Sequence, residues 1–213
     1  EVRRAILEAV DLSVVLELGV NGQGTVGENH HVCPIHPEYA ELPAMAVDKT
    51  AAQARITAAG HAATEIKLVS LDDGLTRFTC DAVAAQMRDA GMTVTREVLP
   101  GSTFWNDWLN YPFSATEWNH RELGVQILNL AYRSGVAWNE TAFSNTEFDS
   151  LLDQANGIQD ADARRVVMAR LQQIMQEEAV SIIPFWRSLT RHYRAGVVNA
   201  DMHPKFEINI HHM

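Results

Sequence analysis

Apolar positions repeat along the chain at two periods, and the switches between them mark the elements. Val2, Ile6, Ala9 and Val10 follow a helical period, and a second apolar run spans Leu12 to Leu18. Gly19 to Val47 has no regular period and holds Gly22, Gly24, Gly27, Pro34, Pro37 and Pro43, so it is expected to be irregular. A loop of that length inside a domain is usually functional or wraps another surface. Asp48 suits the N-cap of a helix running to Ala59, with Gly60 just past its end. Ile66, Leu68, Val69 and Leu71 predict a buried strand. Thr76 to Ala90 predicts a helix with Phe78, Val83, Met87 and Ala90 on one face, stopped by Gly91. Val94 to Leu99 predicts a second strand closed by Pro100. Phe104 to Leu109 reads as a short aromatic helix, and Tyr111 to Trp118 as a third strand.

The second half is mostly helical. Leu123 to Tyr132 turns Ile127, Leu128 and Ala131 to one side. Ser144 followed by Glu147 has the spacing of a capping box before Phe148, Leu151 and Leu152. Asp160 or Asp162 opens a long helix to about Ala179, with Val166, Ala169, Ile174 and Met175 expected inward. Ile182 to Trp186, His192 to Val198 and Phe206 to Ile210 read as short strands. Alternating helices and strands without a dividing linker imply one α/β domain over residues 1–213, a mixed sheet flanked by helices. Parallel neighbours in it would be joined by right-handed crossovers.

Composition narrows the function more than the fold. Hydrophobic residues at 46% allow a sizeable core. The net charge of -10 opposes a nucleic-acid partner, which needs a basic face to displace counterions. No apolar run approaches the roughly 20 residues that span a bilayer. Cys33 and Cys80 are too few for a disulfide framework; they are expected to be unpaired buried thiols, with a single disulfide between them as the alternative. Glu1 stands directly before a helical pattern, so the chain is expected to be a piece of a longer protein. A missing leader then says nothing about compartment.

Several capped segments, in order and at consistent spacing, carry a resemblance. Val2-Arg3-Arg4-Ala5-Ile6 with Ala9-Val10-Asp11 resembles the helix V-R-x-A-I-x-x-A-I-D of family 5 extracellular solute-binding proteins. These are the dipeptide, oligopeptide, opine, glutathione and nickel binders of ABC importers. Asp48 through Gly60 is similar to their D-x-x-K-A-x-x-L-L-x-x-A-G helix, and Gln86 to Met92 to Q-L-x-x-x-G-I. Phe143 to Leu152 resembles Y-S-N-P-E-F-D-x-L-L. Arg164-Arg165, then Gln172 to Pro184, resembles the helix and strand that follow. The matches span nearly the whole chain, whereas such proteins run to roughly twice this length or more, beyond one typical domain. The resemblance therefore implies the C-terminal ligand-binding lobe of a periplasmic-binding-protein type II-like two-lobed clamp. It implies capture of a small polar ligand (a peptide, opine or sugar conjugate), an ABC permease as partner, and a missing N-terminal lobe of the same chain. It also implies a periplasmic or cell-surface location, no cofactor and no catalysis.

The peptide binders of that family carry Trp-x-x-Asp at the cleft, the Asp holding the ligand's α-ammonium. The matching stretch here is Trp118-Asn119-His120-Arg121. Arg121 reverses the charge and suits an anionic or polyhydroxylated group, since guanidinium binds carboxylate and phosphate bidentately. The alternatives are that Arg121 is a solvated loop residue or that Glu122 supplies the acid. Trp118 would stack on an apolar ligand face. Trp138 and Asn139 occupy a loop of the kind that lines clefts, with capping of the turn an equal role for Asn139; Tyr132 and Arg133 are weaker candidates.

His30, His31, Cys33 and His36 are good metal donors, but neither C-x-x-C nor H-E-x-x-H is present, so no metal site is assigned. An enzyme is disfavoured. No G-x-S-x-G elbow, dinucleotide fingerprint or P-loop occurs, Asp72-Asp73 before Gly74 reads as a turn, and adjacent Glu177 and Glu178 do not face each other on a helix. An interaction or chaperone-like lobe on the same scaffold is the rival, with a metal-binding or hydrolytic domain behind it.

Overall fold

The computed structural model describes residues 1–203 and 207. The expected strand from Phe206 to Ile210 lies outside the described residues, apart from Glu207, which is not in a strand. Eight helices and four strands follow in the described residues. They are α1 (Val2–Ala9), α2 (Leu12–Val20), β1 (Gly24–Val26), α3 (Lys49–Ala58), β2 (Glu65–Leu71), α4 (Gly74–Asp89), β3 (Thr93–Leu99), α5 (Gly101–Asp107), α6 (Gly124–Ala131), α7 (Thr146–Gly157), α8 (Ala161–Glu177) and β4 (Phe185–Arg187).

Side-chain caps set most helix starts. Asp11, Asp48, Asp73, Asn145 and Asp160 each accept a hydrogen bond from a backbone N–H in the first turn, satisfying a donor the helix leaves unpaired. Asp48 does more, because its own N–H donates to Glu8 O at 2.9 Å and ties α3 to α1. Asp48→Ala is expected to lower the unfolding free energy by about 1 kcal/mol, read by urea denaturation. Asp48→Asn, which keeps the acceptor, should recover most of the loss. In α7 the cap is Asn145, with Oδ1 3.0 Å from Phe148 N, and not the expected Ser144. Glu147, freed from the capping box, pairs instead with Arg170 of α8 at 2.8 Å.

The expected α/β architecture holds, with its strands divided between two small sheets. β2 and β3 are parallel, in register from Glu65 opposite Thr93 to Leu71 opposite Leu99, with α4 as the crossover. The third strand expected at Tyr111 to Trp118 shrinks to a single parallel bridge between Val69 and Ser114. Pro112 has no N–H to give a ladder, and the chain beyond turns to other contacts. β1 and β4 form an antiparallel pair from Gly24 opposite Arg187 to Val26 opposite Phe185. β4 begins after Pro184, three residues later than expected. His192 to Val198 is irregular: a turn from Arg194 O to Val197 N interrupts it, and Gly196 at φ +95° takes the left-handed conformation that turn uses.

Two hydrophobic cores result. The first joins Ala5 and Ile6 of α1, Ala52 and Ile56 of α3, Leu68 of β2, Val83 and Met87 of α4, and Val94 of β3. The second joins Leu128 of α6, Phe148 and Leu152 of α7, and Met168, Leu171 and Met175 of α8. Val166, expected inward, is 75% exposed, and Phe78 of α4 is also exposed. On α8 Ile174 and Met175 are buried as expected, and the stripe reaches them through 164, 167, 168, 171 and 172 with Ala169 only half-buried.

The irregular segment from 27 to 47 wraps the second core and is held by polar side chains. Gln172 of α8 bonds both backbone groups of Ala40. Arg165 donates to Tyr39 O and Pro37 O, Gln176 donates to Glu28 O, and the buried Glu38 accepts from Val125 N at the start of α6. Val32 adds an apolar plug to the same core.

Candidate ligand-binding cleft

A cleft of about 1320 Å³ opens between the two cores. One wall comes from β2 and α4, including Leu68, Thr79 and Val83. The other comes from α6 and the wrapping segment, including Tyr132, His31, Cys33 and His36. The stretch from 110 to 121 and residues 179–189 complete it. The β1–β4 pair anchors residues 183–187, and the Val69–Ser114 bridge anchors the start of the 114–121 stretch.

Four of the six sequence candidates, Trp118, Asn119, His120 and Arg121, line the cleft. Trp118 is half-buried, ringed by Trp108 at 6.5 Å, Trp138 at 6.1 Å and His31 at 6.2 Å between ring centres. Its indole Nε1 donates to Glu140 Oε1 at 2.8 Å, and Thr116 Oγ1 donates to the same oxygen at 2.6 Å. Glu140 also lines the cleft. Burial raises its pKa, against the opposing pull of those two donors. Arg121 curls back so that Nη1 donates to Asn119 O at 2.9 Å and His120 O at 3.3 Å, with the residue on the cleft lining.

Trp138 and Asn139 do not line the cleft. Trp138 is exposed and packs behind Trp118. Asn139 organises its turn, donating to Arg133 O and Phe143 O and accepting from Thr141 Oγ1 and Phe143 N. The turn places Glu140, and not Asn139, against Trp118. Glu122 is exposed and off the cleft, whereas Tyr132 lines it with its hydroxyl 2.8 Å from His31 Nδ1. Burial, with the His30 and His36 imidazoles nearby, depresses the His31 pKa to about 3, so that ring is neutral. Arg133 pairs with Asp153 away from the cleft.

The four donors of the 30–36 stretch separate. His30 is buried against Glu28 and Gln172, and His31 against Tyr132. Only Cys33 and His36 stay together, with His36 Nδ1 3.4 Å from Cys33 Sγ and 2.9 Å from Cys33 N. The ring of His120 stacks on that of His36, centres 5.1 Å apart and planes 9° from parallel. Cys33 and Cys80 are both buried free thiols.

No protein-family model matches the sequence, and no curated protein matches it significantly. Solved structures do match the fold. The oligopeptide-binding protein AppA from Bacillus subtilis, in complex with a nonapeptide, superposes with TM-score 0.70 and 17% identity, over 84% of this chain and 40% of that one. The ABC transporter substrate-binding protein CtaP from Listeria monocytogenes gives 0.75 and 14%, over 84% and 38%. The murein tripeptide binding protein MppA from Escherichia coli gives 0.73 and 18%, over 84% and 37%. The chain spans about two-fifths of the length of these proteins. It therefore has the fold of a lobe-sized part of the ABC-transporter substrate-binding proteins that its sequence resembles.

Proposed function

We propose that this chain is the ligand-binding C-terminal lobe of an extracytoplasmic substrate-binding protein, closing with an N-terminal lobe of the same chain over a small polar solute and presenting it to an ABC permease. The observation that carries the reading is the cleft, whose lining includes an aromatic platform, a half-buried carboxylate hydrogen-bonded to it and a guanidinium. Trp118 supplies apolar contact area, Glu140 an acceptor for a cationic or hydroxyl group, and Arg121 a donor for an anionic one. A peptide, an opine or a sugar conjugate presents such groups. The role is capture and release, with no bond made or broken in the solute.

Thermal-shift titration of the full-length protein with these three ligand classes tests the reading. A ligand at 100 times its Kd should add about 2.7 kcal/mol to the unfolding free energy. Glu140→Gln should weaken an amine-bearing ligand by about ten- to a hundredfold, the range for losing one charge-assisted hydrogen bond. It should leave the unliganded protein as stable as before or more so, since a half-buried charge is removed while an acceptor for Trp118 and Thr116 remains. An anionic ligand that stabilises wild type but not Arg121→Asp would make Arg121 the selectivity residue. Failure of all three classes to shift the unfolding temperature would sink the reading.

A further inference from the structure

The Cys33, His36 and His120 side chains have a use that solute capture does not require. Their candidate ligand atoms lie within 4.8 Å of one another, and all three residues line the cleft. Cys33 and His36 are separated by two residues, Pro34 and Ile35, whereas His120 arrives from 84 positions further along beside Arg121. We propose that these residues form a binding site for a late first-row transition metal ion, with zinc as the best fit.

Three features support the assignment. The first is spacing. Zinc–thiolate and zinc–imidazole bonds of about 2.3 and 2.0–2.1 Å set sulfur and nitrogen about 3.4–3.6 Å apart at a tetrahedral angle. Cys33 Sγ and His36 Nδ1 are 3.4 Å apart, the separation that two ligands of one tetrahedral zinc have. The second is the far side of the His36 ring. Nε2 lies 3.0 Å from Arg121 O, a carbonyl that can only accept, so Nε2 carries the proton and Nδ1 holds the lone pair; that lone pair accepts from Cys33 N–H at 2.9 Å, a hydrogen bond that an entering metal replaces. A second ring nitrogen donating to a backbone carbonyl is the support that metal-ligating histidines usually have. The third is the proximity of His120. His120 stacks on His36 and already presents a ring nitrogen within 4.8 Å of the other two ligand atoms, so a small shift completes the set.

The donor set selects the ion. One thiolate and two imidazoles suit zinc and its late-row neighbours and reject magnesium and calcium, which take oxygen. Binding replaces the Cys33 thiol proton, which leaves to solvent, and it forms no other bond within the protein. Three protein ligands leave a fourth position for water or for a donor atom of a solute in the cleft. The site stands independently of which solute the cleft captures.

Cobalt(II) titration of the reduced protein, followed by zinc competition, tests the proposal. Cobalt should produce thiolate-to-metal charge-transfer absorption at one equivalent, and zinc should abolish it. Cys33→Ser should remove the absorption, Cys80→Ser should keep it, and His120→Ala should weaken zinc at least tenfold. Circular dichroism and the unfolding midpoint of each apo variant show whether it is folded; His36, which is buried, is left unchanged for that reason. Histidines 211 and 212 at the C-terminus can bind cobalt but cannot give a sulfur band. Absence of the band at millimolar cobalt, or its persistence in folded Cys33→Ser, overturns the site.

Discussion

Gly27→Ala is expected to destabilise the protein by about 3 kcal/mol or more, at the upper end of what overpacking costs. A Cβ on Gly27 would lie 2.1 Å from Ile183 O and 2.9 Å from Phe185 N. Both are backbone atoms, so no rotamer change relieves the overlap. Gly27 N donates to Pro184 O at 2.8 Å, and Asn29 Oδ1 accepts from Ile183 N at 3.1 Å, so the two segments are pinned where the methyl would intrude. Relief would require pushing residues 183–185 away from Gly27, breaking the end of the β1–β4 pair that shapes one side of the cleft. Chemical denaturation of the variant beside Gly157→Ala checks this. Gly157 ends α7 with nothing within 4 Å of an added Cβ, so that control should be neutral or up to about 1 kcal/mol more stable. Equal midpoints for the two variants would show that the 183–185 segment yields freely.

What the sequence made legible follows from how local each feature is. The α3 cap at Asp48, the α8 cap at Asp160 and the β2 and β3 runs depend on neighbours a few residues away, and they were read within one or two positions. β1 was hidden because its three residues sit among glycines and find their partner about 160 positions later. The capping box at Ser144 failed by one residue because Asn145 competes for the same role and accepts from Phe148 N. Of the site, Trp118 to Arg121 was legible through a family motif, and the cleft does receive those four residues. Glu140 was not singled out, since only the turn built by Asn139 shows which side chain of Trp138-Asn139-Glu140 meets Trp118. The His-rich stretch looked like a poor metal motif because its completing member, His120, lies on a different segment. Pairing of segments far apart in sequence is what a single chain read linearly does not encode in any local pattern.

The same logic gives Gln172 an importance that its helical position conceals. It is fully buried in the middle of α8, where a polar residue would ordinarily read as an interruption of the apolar stripe. Its Oε1 accepts from Ala40 N at 3.2 Å and its Nε2 donates to Ala40 O at 2.6 Å, so one amide replaces the strand partner that the 27–47 segment lacks at this point. Gln172→Ala should leave both the N–H and the C=O of Ala40 unpaired, at about 1–3 kcal/mol each, with a cavity added. The expected loss is about 3–5 kcal/mol. Gln172→Leu separates the causes, because it refills the space without restoring either hydrogen bond. If polar pairing dominates, both variants lose similar stability, and amide hydrogen exchange accelerates across residues 28–47 before it does in β2 and β3. If Leu recovers most of the loss, packing alone holds the segment and the hydrogen bonds are incidental. The outcome bears on the cleft as well as on stability, because this segment carries His31, Cys33 and His36 to its wall. A loosened segment would blunt both the proposed metal site and the edge-on support that His31 gives Trp118, so zinc affinity in Gln172→Ala should fall although no ligand has been touched.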